Sequence, residues 1–242
     1  QTTEIKWNAE AAEKAGFEHF MMKEIHEQPK AVKDTLGSVI KDNCIDLSSV
    51  ELTEDEILGF DQIYIVACGS AWHVGMAAQY VIEDLADIPV RVELASEFRY
   101  RRMSLNKNSL VIVISQSGET ADTLAALRLA KEKGIITLAV VNVVGSSIAR
   151  EADKVFYTLA GPEISVATTK AYSAQLAAMY CLAVQFAKVR NMITEEQYNN
   201  YLSELLTIPE KIQKILQDKE RLQWFAAKYA NAHDVFFCWQ RN

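Results

Sequence analysis

Short runs of aliphatic residues alternate along the chain with longer segments in which apolar residues recur every three or four positions. The runs at 62–67, 89–94, 110–114, 135–141 and 154–159 predict five strands. The third run has no polar position, which is typical of a strand buried on both faces of a parallel sheet. Because helical segments separate the runs, the pattern predicts an α/β fold with three α/β/α layers and a five-stranded parallel, doubly wound sheet.

Further helices are predicted on both sides of this core in the sequence. Residues 18–40 have helical periodicity, but we expect one helix to end and another to begin at Pro29, and nothing before residue 50 indicates a strand. The segment 166–190 is apolar on most sides, which predicts a helix buried in this chain or against a partner. Residues 194–232 predict helices that break at Pro209. Their expected inner faces are formed by Ile212, Ile215, Leu216, Leu222, Trp224 and Phe225.

These segments divide the chain into three expected parts. Residues 1–50 form a helical lead-in segment, and residues 51–192 form the α/β domain. Residues 193–242 form a helical connector, and positions 234–239 look like the opening strand of a second, incomplete domain. Because a domain rarely ends on its first strand, we expect the sequence to be a piece of a longer protein.

An acidic charge balance narrows the classes of function. The formal net charge of −7 argues against nucleic acid as a partner, because binding to its phosphate backbone requires a basic surface. The longest apolar stretch, at 174–187, is interrupted by Gln175 and Gln185. It is too short and too polar to cross a bilayer, so no membrane partner is expected.

The cysteines and histidines indicate no metal site. His19 and His26 lie in the first predicted helix without a third ligand nearby, and we interpret them as surface residues rather than metal ligands. The cysteines have no paired, metal-like spacing, and their scattered positions without a signal peptide favour a reducing cytoplasm. They are Cys44, Cys68, Cys181 and Cys238.

The candidate chemistry centres on residues 115–120, which follow the most apolar strand and precede a predicted helix. Their hydroxyls and backbone N–H groups, together with the positive end of the helix dipole, suit a phosphate. The loop lacks the lysine of the nucleotide-binding P-loop, so we expect the phosphate of a small metabolite. The alternative is an ordinary serine-capped helix start. The residues are Ser115, Gln116, Ser117, Gly118, Glu119 and Thr120.

Two other loops rich in hydroxyls, at 69–70 and 161–169, also follow predicted strands. Because ligands of doubly wound sheets bind beyond the carboxyl ends of the strands, we expect all three loops to meet at one edge. Glu119 would repel a phosphate and is expected to face away from it. A basic cluster, Arg99, Arg101 and Arg102, is interpreted as a solvated turn rather than an anion site.

Four motifs occur in an order that resembles the first sugar-isomerase (SIS) domain of the glutamine–fructose-6-phosphate aminotransferases. They are Ala-Cys-Gly-Ser at 67–70, Ala-Ser-Glu-Phe-Arg-Tyr-Arg at 95–101, Ser-Gln-Ser-Gly-Glu-Thr at 115–120 and Glu-Ile-Ser-Val-Ala-Thr-Thr-Lys at 163–170. The resemblance covers roughly residues 17–242. It includes Lys-Glu-Ile-His-Glu-Gln-Pro at 23–29, which is similar to the segment that joins the glutaminase and isomerase halves of that family.

The resemblance implies an enzyme that transfers ammonia from glutamine to fructose 6-phosphate and isomerises the product to glucosamine 6-phosphate, without a metal or an organic cofactor. By the same resemblance, the sugar phosphate is held by Ser115, Gln116, Ser117 and Thr120. The family has hydroxyl residues at both Ser70 and Ala71, so Ser70 retains a sugar contact that Ala71 lacks. The backbone of Val166 and the side chain of Thr168 are expected beside the sugar. Glu163 is expected near the reacting end as the catalytic candidate.

The resemblance also implies what the 242 residues lack, namely the glutaminase and most of the second SIS domain. We therefore expect this chain to bind sugar phosphate without completing the reaction alone. We also expect a homodimer in which the partner completes the site. One alternative is a non-catalytic sugar-phosphate sensor, although residues 1–50 lack a basic DNA-recognition helix. Another is a stand-alone phosphosugar isomerase, for which His73 is the nearest acid–base candidate; we interpret it as a helix-face residue.

Overall fold

The alternating pattern folds as a sheet with helices on both of its faces. The computed structural model describes residues 13–101 and 105–236. Its elements, in chain order, are α1 (Phe20–Val39), β1 (Ile40–Lys41), β2 (Cys44–Ile45), a 3-10 helix (Ser48–Val50), α2 (Glu54–Gly59), β3 (Gln62–Ala67), α3 (Ser70–Ala86), β4 (Val90–Leu94), α4 (Ala95–Phe98), β5 (Ser109–Ser115), α5 (Ala121–Glu132), β6 (Ile136–Val141), α6 (Ser147–Glu151), β7 (Lys154–Tyr157), α7 (Lys170–Val189), α8 (Glu195–Leu216) and α9 (Lys219–Lys228).

The five predicted strands form one parallel sheet in the order β4–β3–β5–β6–β7. Each neighbouring pair is parallel, and Ile65 in β3 lies opposite Val92 on one side and Ile112 on the other. The predicted five-stranded parallel α/β fold is therefore confirmed. Strand order reverses between β3 and β5, because the chain first adds β4 beyond β3 and then returns to the other side.

Alternate residues of the central strands supply two separate apolar layers. Ile63, Ile65 and Ile112 face the side covered by α1, α3, α7 and α8. Tyr64 and Val113 face the opposite side, which α4, α5 and α6 cover. Strands with two buried faces carry no polar alternation, which explains their uninterrupted apolar sequence. Because α1 and α8 share the first layer with the sheet, the core extends across residues 50 and 192; the three-part division at these positions stays a prediction.

Pro29 lies inside α1, and the expectation that one helix ends there is wrong. A proline in a helix leaves the carbonyl four residues earlier without its usual N–H donor. Here that carbonyl belongs to Ile25, and the side-chain amide of Gln28 donates to it at 3.0 Å. Val32 and Leu36, both 1% exposed, hold the second half of the helix on the core. The hydrogen bond from Gln28 replaces the one that the proline cannot donate, and together with this packing it keeps the helix continuous.

Pro209 does not break its helix either. Helix α8 runs through Pro209 to Leu216, and the break follows at residues 217–218. The expected inner face is wrong for α9, which has no buried residue. In α8 full burial stops at Leu205, but Ile212, one of the expected residues, still packs partly buried against the core. Beyond Ile212, most of the apolar residues expected on the inner face are exposed. Those exposed are Ile215, Leu222, Trp224 and Phe225.

Two short segments differ from the sequence-based expectation. Strands β1 and β2 form an antiparallel hairpin within the part that indicated no strand; Asp42 and Asn43 at its turn have φ of +48° and +60°. Such left-handed turns match the twist of a two-residue hairpin. Residues 234–236 are not in a strand, and the remainder of the strand expected at 234–239 lies outside the described residues.

Candidate functional site

The three loops rich in hydroxyls converge above the sheet. Since β3 and β5 are neighbours and the strand order reverses between them, the loops that follow them flank the crevice where α/β sheets bind ligands. The segment from β7 to α7 returns across this edge. Together they enclose a cleft of about 310 Å³. All eight site residues expected from the sequence line it: Ser70, Ser115, Gln116, Ser117, Thr120, Glu163, Val166 and Thr168.

The 115–120 loop is organised by its own hydroxyls. Ser115 Oγ accepts a hydrogen bond from the backbone N–H of Gly118 at 3.1 Å and lies 3.0 Å from Thr120 Oγ1. Ser117 Oγ accepts from the backbone N–H of Glu119 at 3.2 Å. Gly118 has a φ of +67°, which lets the chain turn sharply into α5. No side chain caps the N-terminus of α5 at Thr120. The helix therefore directs its first N–H groups and the positive end of its dipole at the cleft.

Glu119 points away from the cleft, as expected. Its Oε1 accepts a hydrogen bond from the backbone N–H of Ser147, at the start of α6, at 2.7 Å. The hydrogen bonds from the backbone and hydroxyl of Ser147, with the nearby Arg150 charge, lower the pKa of the Glu119 carboxyl. The carboxylate therefore stabilises a neighbouring helix and does not oppose an anion in the cleft.

The basic cluster forms ion pairs at the surface. Arg99 Nη1 lies 2.7 Å from Asp122 Oδ1, and Arg101 Nη1 lies 3.1 Å from Glu93 Oε2. Neither arginine lines the cleft. Their placement agrees with the solvated-turn interpretation, while Arg102 lies outside the described residues.

The turn after β3 brings small residues to the opposite wall. Gly69 has a φ of +59°, and α3 begins directly after it at Ser70. Ser70 and Ala71 both line the cleft. His73 does not; its Nδ1 lies 3.1 Å from the carbonyl of Gly69, and its side chain lines a neighbouring polar cleft that shares Ser70 and Thr168.

Glu163 holds the loop at 163–169 against the start of α7. Its Oε1 accepts hydrogen bonds from the backbone N–H groups of Thr169 and Ala171, at 2.9 and 3.2 Å, and its Oε2 accepts from Thr168 Oγ1 at 2.8 Å. The helix expected from residue 166 therefore begins only at Lys170, because this carboxylate caps it and bends the preceding residues into the cleft wall. Val166 is fully exposed at the rim.

Some lining residues were not expected as site residues from the sequence. Gln175, on α7, is 3% exposed and lines the cleft, and Ser165 and Ala167 belong to the 163–169 loop. A polar amide in an apolar helix is the one signal that could have identified Gln175. Cys68 lines the cleft, whereas Cys181 is fully buried, and burial raises the pKa of its thiol to about 12.

Metal binding and membrane insertion are two other functions that the geometry of the described residues bears on. Among the described residues, no group of three or more His, Cys, Asp or Glu side chains is placed to hold a metal ion. Within the same part of the chain, no helix combines the length and apolarity needed to span a bilayer.

Comparison with known proteins places this geometry in a family. The profile of the SIS domain matches residues 56–185. The chain is 53% identical over 235 residues to the glutamine–fructose-6-phosphate aminotransferase (isomerizing) of Caldanaerobacter subterraneus subsp. tengcongensis, covering 97% of this chain and 39% of that protein. It is 54% identical over 234 residues to the protein of the same name from Clostridium acetobutylicum, covering 96% and 38%.

Solved structures agree. The C-terminal domain of glucosamine-fructose-6-phosphate aminotransferase from Francisella tularensis matches with a TM-score of 0.86 at 39% identity, covering 90% of this chain and 61% of that one. The chain spans about two fifths of the length of the curated relatives it matches. Because the matched profile covers more than half of the chain, including the sheet and the loops of the cleft, the chain belongs to the SIS domain family.

Proposed function

We propose that this chain is the sugar-phosphate-binding part of the isomerase half of a glutamine–fructose-6-phosphate aminotransferase, with fructose 6-phosphate and glucosamine 6-phosphate as its ligands. The observation that carries the proposal is the cleft itself. It joins an uncapped helix N-terminus with a hydroxyl-rich loop, and it is lined by every residue that the family resemblance selects. The names of the relatives indicate the reaction.

In this proposal the phosphate binds at the 115–120 loop. The lining residues include no lysine or arginine in the described chain, so the negative charge is stabilised by the α5 dipole, backbone N–H groups and hydroxyls. Ser117 and Thr120 donate hydrogen bonds to the phosphate. Ser115 holds the loop through Gly118, and Gln116 contributes its side-chain amide.

The sugar binds between the other two walls. Ser70 donates from the turn after β3, and the backbone of Val166 and the hydroxyl of Thr168 contact the sugar from the opposite side. Glu163 is the catalytic candidate near the reacting end. Because its carboxylate already accepts three hydrogen bonds, we propose that its main contribution is to hold Thr168 in place.

Binding of fructose 6-phosphate is expected to raise the thermal midpoint of unfolding. At a hundred times the dissociation constant, a ligand adds about 2.7 kcal/mol to stability, which is a shift of roughly 5 to 10 °C for a chain of this size. Ser117→Ala should reduce the shift, because it removes one phosphate donor. Differential scanning calorimetry with fructose 6-phosphate, glucosamine 6-phosphate and glucose measures the shift in the thermal midpoint. Ser203→Ala, in an exposed position of α8, is the matched control and should behave as the unaltered chain. An equal response to glucose would contradict the phosphate assignment.

The chain by itself is expected to bind without turnover. It spans 39% of a relative that carries the whole activity, and we propose that the remaining groups come from a glutaminase and a second SIS domain in the full-length protein, with no cofactor. A cytoplasmic homodimer is the proposed setting. The measurement is formation of glucosamine 6-phosphate from fructose 6-phosphate with glutamine or ammonia. Product formation at an ordinary enzyme rate, about 1 s⁻¹ or more, would refute the expectation.

A further inference from the structure

A buried carboxylate on α1 is bonded to the cleft wall. Glu24 is 2% exposed. Its Oε1 accepts a hydrogen bond from the backbone N–H of Ile164 at 2.6 Å and another from the N–H of Ser165 at 3.2 Å. Its Oε2 lies 3.3 Å from the same Ser165 nitrogen. Hydrogen bonds to an ionised, buried acceptor are stronger than neutral ones, so this contact fixes the backbone of the 163–169 loop.

The next turn of α1 holds the helix that follows this loop. Glu27 Oε2 lies 2.6 Å from Lys170 Nζ, at the first residue of α7. Gln28 Oε1 accepts from Ser173 Oγ at 2.6 Å, one turn further along. The loop is thus attached to α1 at its beginning and at its end, and its position depends on that helix.

Only one side of the cleft depends on α1. The 163–169 loop carries a hydroxyl, Ser165 Oγ, that is buried without a hydrogen-bond partner among the residues described and belongs to a residue lining the cleft. A sugar hydroxyl group is the chemistry that would satisfy it. The hydrogen bonds described for the 115–120 loop connect it to itself, to α5 and to residues 142–148 instead.

We infer that Glu24 is a positioning residue for the sugar end of the cleft: it holds the backbone of Ile164 and Ser165 so that the wall of hydroxyls meets the sugar of fructose 6-phosphate. This inference rests on the proposed function. It also makes α1 a mechanical link, because that helix bonds directly to the sugar side of the cleft, whereas no described hydrogen bond joins it directly to the 115–120 loop.

The test compares the affinities of the Glu24→Gln variant for two ligands. In this variant an NH2 donor replaces one of the two acceptor oxygens that face the N–H groups of the loop. Titration calorimetry is expected to show about tenfold weaker binding of fructose 6-phosphate. The affinity for inorganic phosphate should stay within about twofold, because the 115–120 loop is untouched. Asp34→Asn is the matched control, since it makes the same change on α1 at a residue that pairs with Lys30 and lies outside the cleft. It should alter neither affinity.

Two results on Glu24→Gln would overturn the inference. Unchanged binding of fructose 6-phosphate by Glu24→Gln would show that the loop needs no support from α1. An equal loss for both ligands would indicate a general loss of structure. If Glu24→Gln fails to fold, Glu24→Asp keeps the charge but shortens the side chain, and it should show the same selective loss. Failure of this variant to fold as well would assign Glu24 a purely structural role. Absence of fructose 6-phosphate binding in the unaltered chain would instead refute the proposed function.

Discussion

Replacing Glu27 by glutamine is expected to lower the free energy of unfolding by about 3 kcal/mol. Glu27 lies 2.6 Å from the Nζ of Lys170 and 3.4 Å from that of Lys23, and the two lysine side chains are 3% and 5% exposed. The Glu27 side chain is 30% exposed, but an amide in its place cannot balance the two buried ammonium groups. Leaving a buried charge without its partner costs more than the pair itself contributes. Urea unfolding followed by circular dichroism measures the change.

The matched control for this prediction is an exposed pair of the same type. Glu204 lies close to Lys211, and the two side chains are 70% and 58% exposed. Glu204→Gln is therefore expected to cost less than about 1 kcal/mol, because water screens the interaction. If both variants lose the same small free energy of unfolding, the cluster of Glu27 with Lys23 and Lys170 is effectively solvated and the argument from burial fails.

Gly118→Ala is expected to destabilise the chain by about 3 kcal/mol and to abolish detectable binding of fructose 6-phosphate. The φ of +67° disfavours any side chain, and a Cβ at this position would lie 2.0 Å from Ser146 Oγ and 2.5 Å from Ser146 Cβ. Rotation of the serine hydroxyl cannot relieve the second contact. The backbone must shift, and with it the N–H groups of the 115–120 loop. Thermal unfolding and titration calorimetry on the same sample measure both effects.

Two further variants separate the effect of backbone strain from that of the contact with Ser146. Gly134 has a similar φ of +69° with no atom within 4 Å of a built Cβ, so Gly134→Ala should cost only about 1 kcal/mol. Combining Gly118→Ala with Ser146→Gly removes the contact and should recover most of the difference between these two variants. A double variant that is no more stable than Gly118→Ala alone would show that contact with Ser146 is not the cause.

Much of the fold could be predicted because each strand of a buried parallel sheet is a continuous apolar run. Strand β3 was predicted with its observed bounds, and β5 within one residue at each end. The effect of the two prolines was misjudged because each removes only one backbone hydrogen bond. At Pro29 the side chain of Gln28 replaces that bond. At Pro209 the packing of the preceding part of α8 outweighs its loss. Periodicity also identified the apolar residues of α9, but it could not tell whether anything covers them.

The strand–loop–helix units, the hydroxyl-rich loops at strand ends and the family resemblance follow from the sequence alone, because they depend on residues that are close in the chain. The folded arrangement was needed to show that Glu24 and Glu27 contact the 163–169 loop and the start of α7, since their partners lie about 140 residues away. It also decided that Glu163 caps α7, which begins at Lys170 and not at residue 166. Such contacts between charged side chains and distant backbone leave no periodic signal, because they depend on where the folded elements meet.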